Sequence, residues 1–209
     1  MDNFPETVED FLDGQILLIN KPVGWTSFDV VKKIKNLIRT KYSLKKIKVG
    51  HAGTLDPLAI GLLIVCTGKF TKLISKIQGQ EKTYTGTITL GGTTPSYDLE
   101  TEVDNNYETA HITEELIKES TTQFIGEIDQ KPPIFSALKK GGERLYEKAR
   151  RGETIEIESR KVTVREFTIT SIENLEVNFE IKCSKGTYIR SIAHDFGAAL
   201  NSGGHLSKL

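Results

Sequence analysis

The sequence predicts a mixed-sheet α/β or α+β domain. Segments typical of strands and segments with helical periodicity are interspersed without a regular βαβα rhythm, and there is no internal repeat. At 209 residues the chain can bury a sizeable core as one large domain. Its hydrophobic share of 37% and charged share of 27% are those of ordinary globular proteins.

The first part of the chain contains three candidate strands. "QILLINK" is a short buried strand that ends at Lys21 and Pro22, and "KIKVGH" is a second one. Between them, apolar residues recur at helical spacing, so we predict a helix that Ser27 caps and that continues to about Arg39. Asp56 is followed by Pro57, which suits the first turn of a short helix, and "GLLIVCTG" then forms a buried strand.

The later part adds paired strands and four helices, one of which follows a mobile loop in "DQKPPIFSALKKGGERLYEKARRG". "KFTKLISKIQ" is a helix candidate, and "KTYTGTITLGG" is a strand because it alternates and is rich in threonine. A polar, acidic loop from Thr93 to Asn106 precedes a helix over roughly Thr113 to Phe124. "RKVTVREFTITSI" and "LEVNFEIKCS" are paired strands, with a bulge between Val164 and Phe167, and "TYIRSIAHDFGAAL" is the last helix. We expect an inserted lobe between about Thr93 and Gly152.

Charges are segregated along the chain although the formal net charge is zero. Residues 21–50 are rich in lysine and hold Asp29 as their only acid, and a second basic cluster runs from Lys139 to Arg151. Acids are concentrated from Asp98 to Glu127. Such a distribution can hold a polyanion on one face, although from charge alone solvated helix faces are the simpler explanation.

The sequence also predicts where the protein works. No apolar segment approaches the length of a membrane span, and the N-terminal "MDNFPETVEDFLDG" is acidic, unlike a signal peptide. We therefore expect a cytoplasmic protein. Cys66 and Cys183 lie in apolar stretches and are expected to be buried, reduced thiols.

One carboxylate stands out in the motif "KVGHAGTLDPLAIGLLIV". Asp56 followed by Pro57 is a good helix cap, and this is the simpler interpretation of an isolated Asp-Pro pair. A cap does not explain the preceding glycines, however, which permit close backbone approach to a ligand on either side of His51. The motif is therefore also a candidate active-site loop.

Two later stretches supply what a partly buried acid needs. Tyr84 lies on the "KTYTG" strand, and Tyr188 and Arg190 lie at the strand-to-helix junction of "SKGTYIRSIAHD". A partly buried aspartate stays ionised when a counter-charge accompanies it, and the planar guanidinium of arginine matches a carboxylate. Taken alone, Arg190 is better explained as a surface cation on an amphipathic helix.

A set of motifs resembles the TruB family of bacterial tRNA pseudouridine synthases. The resemblance covers the chain from near Gln15 to its last residue. It implies a pseudouridine synthase fold, with a central mixed, largely antiparallel sheet flanked by helices, and modification of the T-loop uridine at tRNA position 55. The motifs that carry it are "NKPVGWTS", "GHAGTLDPLAIGLL", "KTYTGTITLG", "PPIFSALKKGGERLYEKARRG", "CSKGTYIRSIAHDFG" and "GGHLSKL".

The resemblance implies a role for each matched residue. Asp56 matches the catalytic aspartate, which either attacks C1′ of the ribose or removes a ribose proton. Arg190 matches the arginine that pairs with it. Tyr84 matches the residue that stacks on the target base and is a catalytic candidate for handling the C5 proton. The reaction uses no cofactor or metal, and the four histidines of the chain lack the spacing of a zinc site.

Further matches concern substrate binding. His51 matches the residue that fills the space vacated by the flipped base, and Tyr188 and Leu209 match residues that line the uracil pocket. Lys21 and Pro22 match a Lys-Pro motif, which we interpret as support for the active-site loop more than as a direct contact.

The resemblance also implies partners and domains. We expect residues 1–209 to form the catalytic domain, with a thumb-like segment at about 130–152 that closes over RNA. The expected partner is the T-arm of tRNA, bound by a monomer without an obligatory protein partner or membrane. Relatives continue past the equivalent of Leu209, often with a small RNA-binding domain that we expect this chain to lack. The alternatives are a non-catalytic tRNA-folding chaperone and, far less supported, a nucleotide hydrolase, since no Walker-type loop is present.

Overall fold

A computed structural model describes residues 7–153 and 155–209. The chain divides into two compact units, Met1–Gln80 and Glu81–Leu209, which are called the N-terminal and C-terminal units below. Each unit has its own sheet and its own apolar core. The predicted insertion at 93–152 falls within the C-terminal unit. That it forms a separate lobe stays a prediction.

The N-terminal unit is a three-stranded antiparallel sheet covered on one face by a helix. The strand order is β1-β3-β2, so β3 is central and pairs with both neighbours. The elements are α1 (Val8–Asp13), β1 (Ile16–Lys21), α2 (Ser27–Lys41), β2 (Val49–His51), β3 (Gly61–Thr67), a 3-10 helix (Gly68–Leu73) and α3 (Ile74–Gln78).

The cap of helix α2 lies one residue earlier than predicted. Thr26, and not Ser27, is the cap: its hydroxyl accepts the amide of Asp29, and the Asp29 carboxylate accepts the amide of Thr26. This reciprocal pair is a capping box, which satisfies two otherwise unpaired donors. Val30 and Val31 then pack against Leu63 of β3, as the helical spacing predicts.

The segment after Asp56 is a turn, so the predicted short helix is wrong. The amide of Ala59 donates to the carbonyl of Asp56 at 3.1 Å, and β3 begins only two residues later. Proline at the second position of a turn is as favourable as proline at the start of a helix, which is why the local sequence does not distinguish them.

The C-terminal unit is built on a five-stranded antiparallel sheet of order β12-β4-β11-β10-β7. The only parallel pairing among the described residues is an isolated bridge between Asp98 and Leu206. The strands are β4 (Lys82–Leu90), β5 (Gly92–Thr93), β6 (Asn105–Asn106), β7 (Gly126–Gln130), β8 (Lys139–Lys140), β9 (Glu143–Arg144), β10 (Arg160–Glu173), β11 (Glu176–Cys183) and β12 (Gly204–Lys208), and the helices are α4 (Glu114–Ser120), continued by a 3-10 turn (Thr121–Phe124), α5 (Leu145–Arg150) and α6 (Ile189–Ala199).

Most predicted elements of this unit are confirmed. The register of β10 against β11 shifts between Val164 and Glu166, where the sequence predicts a bulge. Strand β12 was not predicted, because "GGHLSKL" is short and its pairing with β4 depends on a distant part of the chain. A methyl group on Gly197 would collide with the backbone of Gly203 and Gly204, so this glycine lets α6 approach β12 closely.

The core of the C-terminal unit lies between its sheet and α6. Phe167, Phe179 and Phe196 pack there in tilted and edge-to-face contacts with centroids 5.3–6.1 Å apart. Cys66 and Cys183 are buried and free, as predicted. Within residues 7–153 and 155–209, every helix is too short or too polar to cross a membrane.

Candidate active site

The predicted site residues fall into two groups, one in each unit. Lys21, His51 and Asp56 lie in the N-terminal unit. Tyr84, Tyr188, Arg190 and Leu209 lie in the C-terminal unit and are therefore described separately.

The Asp56 loop connects β2 with β3 and is fixed at several points. At the start of the loop, the amide of Ala52 donates to the carbonyl oxygen of Ile64 at 2.8 Å. The ring Nδ1 of His51 lies 2.6 Å from the carbonyl oxygen of Gly53. Asp56 itself is half-buried. The loop thus presents a carboxylate that is neither free in solvent nor enclosed in the core.

Ser27 holds the residue next to Asp56. Its buried hydroxyl accepts the amide of Leu55 at 2.9 Å and donates to the carbonyl of the same residue at 3.2 Å. One side chain on α2 therefore satisfies both backbone groups of Leu55. Sequence analysis missed this role because Ser27 was interpreted as the helix cap.

Lys21 organises the same loop from the end of β1. It is completely buried, and its ammonium donates to the carbonyl oxygens of Pro22 at 3.0 Å, Trp25 at 2.7 Å and Pro57 at 3.2 Å. Three donors thus meet three acceptors. Burial lowers the pKa of Lys21, and the negative charge of Asp56 partly opposes this shift. Lys21 therefore joins the Lys-Pro turn to the residue after the aspartate.

In the C-terminal unit, Tyr84 and Leu209 pack on the edge of the core. Tyr84 lies on β4 opposite Ile181 of β11 and is half-buried, and Leu209 directly follows β12. Because β12 pairs with β4, the sheet brings these two distant sequence positions to neighbouring strands.

Arg190 is buried, which excludes the surface-cation interpretation. It is 3% exposed, and its Nη1 lies 3.4 Å from Oδ2 of Asp98, which is itself buried. Its Nη1 also donates to the carbonyl of Ser96 at 3.1 Å and its Nη2 to that of Phe135 at 2.9 Å. A buried charge needs such compensation.

Asp98 is the principal residue that sequence analysis missed. The loop prediction for its segment is confirmed, but the loop is folded inward around Asp98, whose carbonyl accepts the hydroxyls of Thr94 at 2.7 Å and Ser96 at 3.0 Å. A buried guanidinium needs an acidic partner, but the sequence motifs point only to Asp56 and give no indication of Asp98.

A ring stack attaches this loop to α6. Tyr97 lies parallel to His194 with centroids 3.9 Å apart, and His194 is one helical turn beyond Arg190. Burial lowers the pKa of His194, which favours the neutral ring, although Asp104 opposes the shift. Helix α6 therefore contacts the loop at two points, through the ion pair of Arg190 with Asp98 and through the stacking of His194 on Tyr97.

Comparisons with known proteins identify the family. Residues 39–189 match the family model described as "TruB family pseudouridylate synthase (N terminal domain)". The chain belongs to the TruB family. The family implied by the sequence motifs is thereby confirmed.

Two relatives in the TruB family cover almost all of the chain. "tRNA pseudouridine synthase B" of Flavobacterium johnsoniae is 64% identical over 204 residues, which are 97% of this chain and 89% of the relative. The protein of the same name from Phocaeicola vulgatus is 51% identical over 200 residues, which are 96% of this chain and 85% of the relative.

Solved structures confirm the predicted fold. The "Crystal Structure of a Cbf5-Nop10-Gar1 Complex" contains a chain that is 29% identical, with a TM-score of 0.70. The "Structure of H/ACA RNP bound to a substrate RNA containing 2'-deoxyuridine" contains another at 26% identity and a TM-score of 0.66. Each match covers 97% of the TruB-family chain described above, but only 49% and 48% of the solved chains.

Proposed function

We propose that this protein converts a uridine of tRNA to pseudouridine, and that the target is the T-loop uridine at position 55. The observation that carries the proposal is the relative from Flavobacterium johnsoniae, which is 64% identical over nearly its whole length and is named a tRNA pseudouridine synthase. At that identity the two chains share their fold.

The proposed reaction is an isomerisation. The bond between N1 of uracil and C1′ of ribose breaks, the base turns over, and a new bond forms between C5 and C1′. The proton on C5 is lost and N1 gains one, so that atoms and electrons balance. Nothing is oxidised and no group leaves, so acid, base and nucleophile chemistry from side chains suffices.

Asp56 is the proposed catalytic residue, and its ionised carboxylate acts on the ribose. Either it attacks C1′ or it removes a ribose proton, and both routes require a carboxylate close to the sugar. Arg190 is proposed to pair with it and keep it charged and aimed. The half-buried position of Asp56 and the burial of the Arg190 guanidinium, which is held by hydrogen bonds to two carbonyl oxygens, support these roles.

The remaining matched residues are proposed to hold the extruded base. Tyr84 would stack on the uracil, and Tyr188 and Leu209 would line its pocket. His51 would occupy the space that the base leaves in the T-loop. Extruding a base costs a few kcal/mol, and least where pairing is already irregular, as in an RNA loop.

Phosphate contacts are proposed on the exposed lysines and arginine of α2 and the segment after it. No ion pair neutralises them in the part of the chain that the structure describes. The thumb-like segment at 130–152 is the second candidate, although Arg150 and Arg151 already pair with Glu100, Glu143 and Glu153. The exposed cations of the first group are Lys32, Lys33, Arg39, Lys41, Lys45, Lys46 and Lys48.

We further propose that the enzyme acts as a monomer in the cytoplasm, where tRNA is available. The chains in the solved complexes are about twice as long as this one, so their assemblies do not carry over. Light scattering of the purified protein, alone and with T-arm RNA, would measure the oligomeric state, and a dimer would contradict the proposal.

The test of function is tritium release from T-arm RNA labelled at C5 of the target uridine. The wild-type protein is expected to release tritium, and Asp56→Asn to release none while it still binds RNA. A tRNA-folding chaperone would tolerate Asp56→Asn and release no tritium in either form. That result would contradict the proposed enzyme activity and support the non-catalytic chaperone.

A further inference from the structure

We propose that Gln130 and Arg160 are positioning residues that fix the junction between β11 and α6, and so the placement of Tyr188 and Arg190. The proposal rests on the function proposed above, since it assigns these two side chains to the same site. Neither residue was singled out by its sequence.

Gln130 holds Tyr188 by both of its backbone groups. The amide of Tyr188 donates to the side-chain oxygen of Gln130 at 2.7 Å, and the side-chain nitrogen of Gln130 donates to the carbonyl of Tyr188 at 3.0 Å. Gln130 is 1% exposed. A buried amide with both functions used is costly to replace, because any residue lacking one function leaves a buried backbone group unpaired.

Tyr188 is the N-cap residue of α6, and its side chain makes no capping hydrogen bond. Its carbonyl also accepts the amide of Ile192 at 3.2 Å, within the first helical turn. Gln130 therefore fixes the point at which the helix starts. Arg190 follows two residues later, so any rotation of the junction moves its guanidinium.

Arg160 contacts the aromatic ring of Tyr188. Its guanidinium lies over the Tyr188 ring, 4.7 Å from the centroid, and also donates to the carbonyl of Gly186. In the sheet, Arg160 of β10 pairs directly with Gln130 of β7. In this cross-strand pair, Gln130 binds the backbone of Tyr188 and Arg160 contacts its ring.

The segment after Gln130 is attached to the same helix at two further points. The hydroxyl of Ser191 donates to the carbonyl of Lys131 at 2.8 Å, and Arg190 donates to that of Phe135 at 2.9 Å. The chain that enters the thumb-like segment is therefore fastened to α6 over several residues, and Gln130 is the first of these attachments.

The decisive variant is Gln130→Glu. An ionised carboxylate accepts the amide of Tyr188 but cannot donate to its carbonyl, whereas the protonated acid can do both. Burial raises the pKa of such a carboxyl and the guanidinium of Arg160, on the paired strand, opposes this shift, so the carboxyl is expected to gain its proton as the pH falls below neutral. We expect its single-turnover rate to fall about ten- to a hundredfold near neutral pH, with RNA affinity unchanged. The ratio of its rate to that of the wild type should recover as the pH falls.

Three further variants complete the test. Gln123→Glu makes the same change at an exposed site and should follow the wild-type pH profile. Gln130→Met removes both hydrogen bonds without adding charge and should be slow at every pH. Arg160→Lys keeps the charge but not the planar guanidinium and should lose rate, whereas Arg165→Lys, on the same strand but exposed, should not.

Hydrogen exchange tests the geometry without any turnover. The Tyr188 amide should exchange faster in Gln130→Met and remain protected in Gln123→Glu. If the wild type released no tritium, the proposed function would fail, and exchange would still decide the positioning role. Wild-type rates in the Gln130 variants, a rate loss independent of pH in Gln130→Glu, or unchanged exchange in Gln130→Met would each overturn the inference.

Discussion

At the scale of single residues, each unit contains one buried cation among its candidate site residues. Lys21 is surrounded by three carbonyl oxygens, and Arg190 by two carbonyl oxygens and the carboxylate of Asp98. Both cations are almost completely buried. Burying a charge is unfavourable unless its hydrogen bonds are made, so these arrangements are sensitive to the loss of any partner.

Asp98→Asn tests this sensitivity. The substitution preserves size but removes the carboxylate beside the buried guanidinium, so the C-terminal unit should lose about 3 kcal/mol of unfolding free energy. Urea denaturation followed by circular dichroism measures the loss. Asp104→Asn is the matched control: Asp104 is exposed and accepts the hydroxyl of Thr93, so a change below about 0.5 kcal/mol is expected. Equal effects in the two variants would show that the ion pair contributes nothing.

At the scale of elements, the N-terminus of α2 has two neighbouring hydroxyls with different tasks. Thr26 caps the helix, and Ser27 points to the Asp56 loop and holds Leu55. Sequence propensity ranks serine and threonine equally as caps, so the one-residue choice depends on packing against the loop. The sequence placed the helix correctly and assigned its cap to the wrong hydroxyl.

The two hydroxyls make a matched pair of variants. Thr26→Ala should lower the unfolding free energy by about 1 kcal/mol, the usual value of a cap, and leave the single-turnover rate unchanged. Ser27→Ala should lower that rate about tenfold, because the residue beside Asp56 is no longer held, with little change in RNA affinity. Single-turnover tritium release and RNA titration separate the effects. A rate loss in Thr26→Ala equal to that in Ser27→Ala would refute the distinction.

At the scale of the whole molecule, the charge distribution matters more than the net charge of zero. The cations on and after α2 have no acidic partners among the described residues, whereas Arg150 and Arg151 of the thumb-like segment do. Since RNA phosphates must compete with any existing partner, the first group is the more favourable binding surface. Neutrality of the whole chain therefore does not oppose RNA binding.

Salt dependence measures this surface. Lys32→Ala and Lys33→Ala should each weaken T-arm RNA binding and reduce the slope of log affinity against log salt by about one for each phosphate that is no longer neutralised. Lys118→Ala, which removes an exposed lysine that pairs with Glu114 on α4, should leave the slope unchanged. An identical slope in all three variants and the wild type would place the RNA elsewhere.

The sequence by itself determined most elements and the family, and it supplied the candidate site residues. These depend on local periodicity and on contiguous motifs such as "GHAGTLDP", which the linear chain displays directly. Only the tertiary structure decided that Asp98 neutralises Arg190 and that Gln130 and Arg160 contact Tyr188. It also decided that most of "GGHLSKL" forms strand β12. The physical reason is that each of these contacts joins segments far apart in the chain. Their pairing is selected by packing and by the cost of leaving buried polar groups unsatisfied, and no local pattern encodes it.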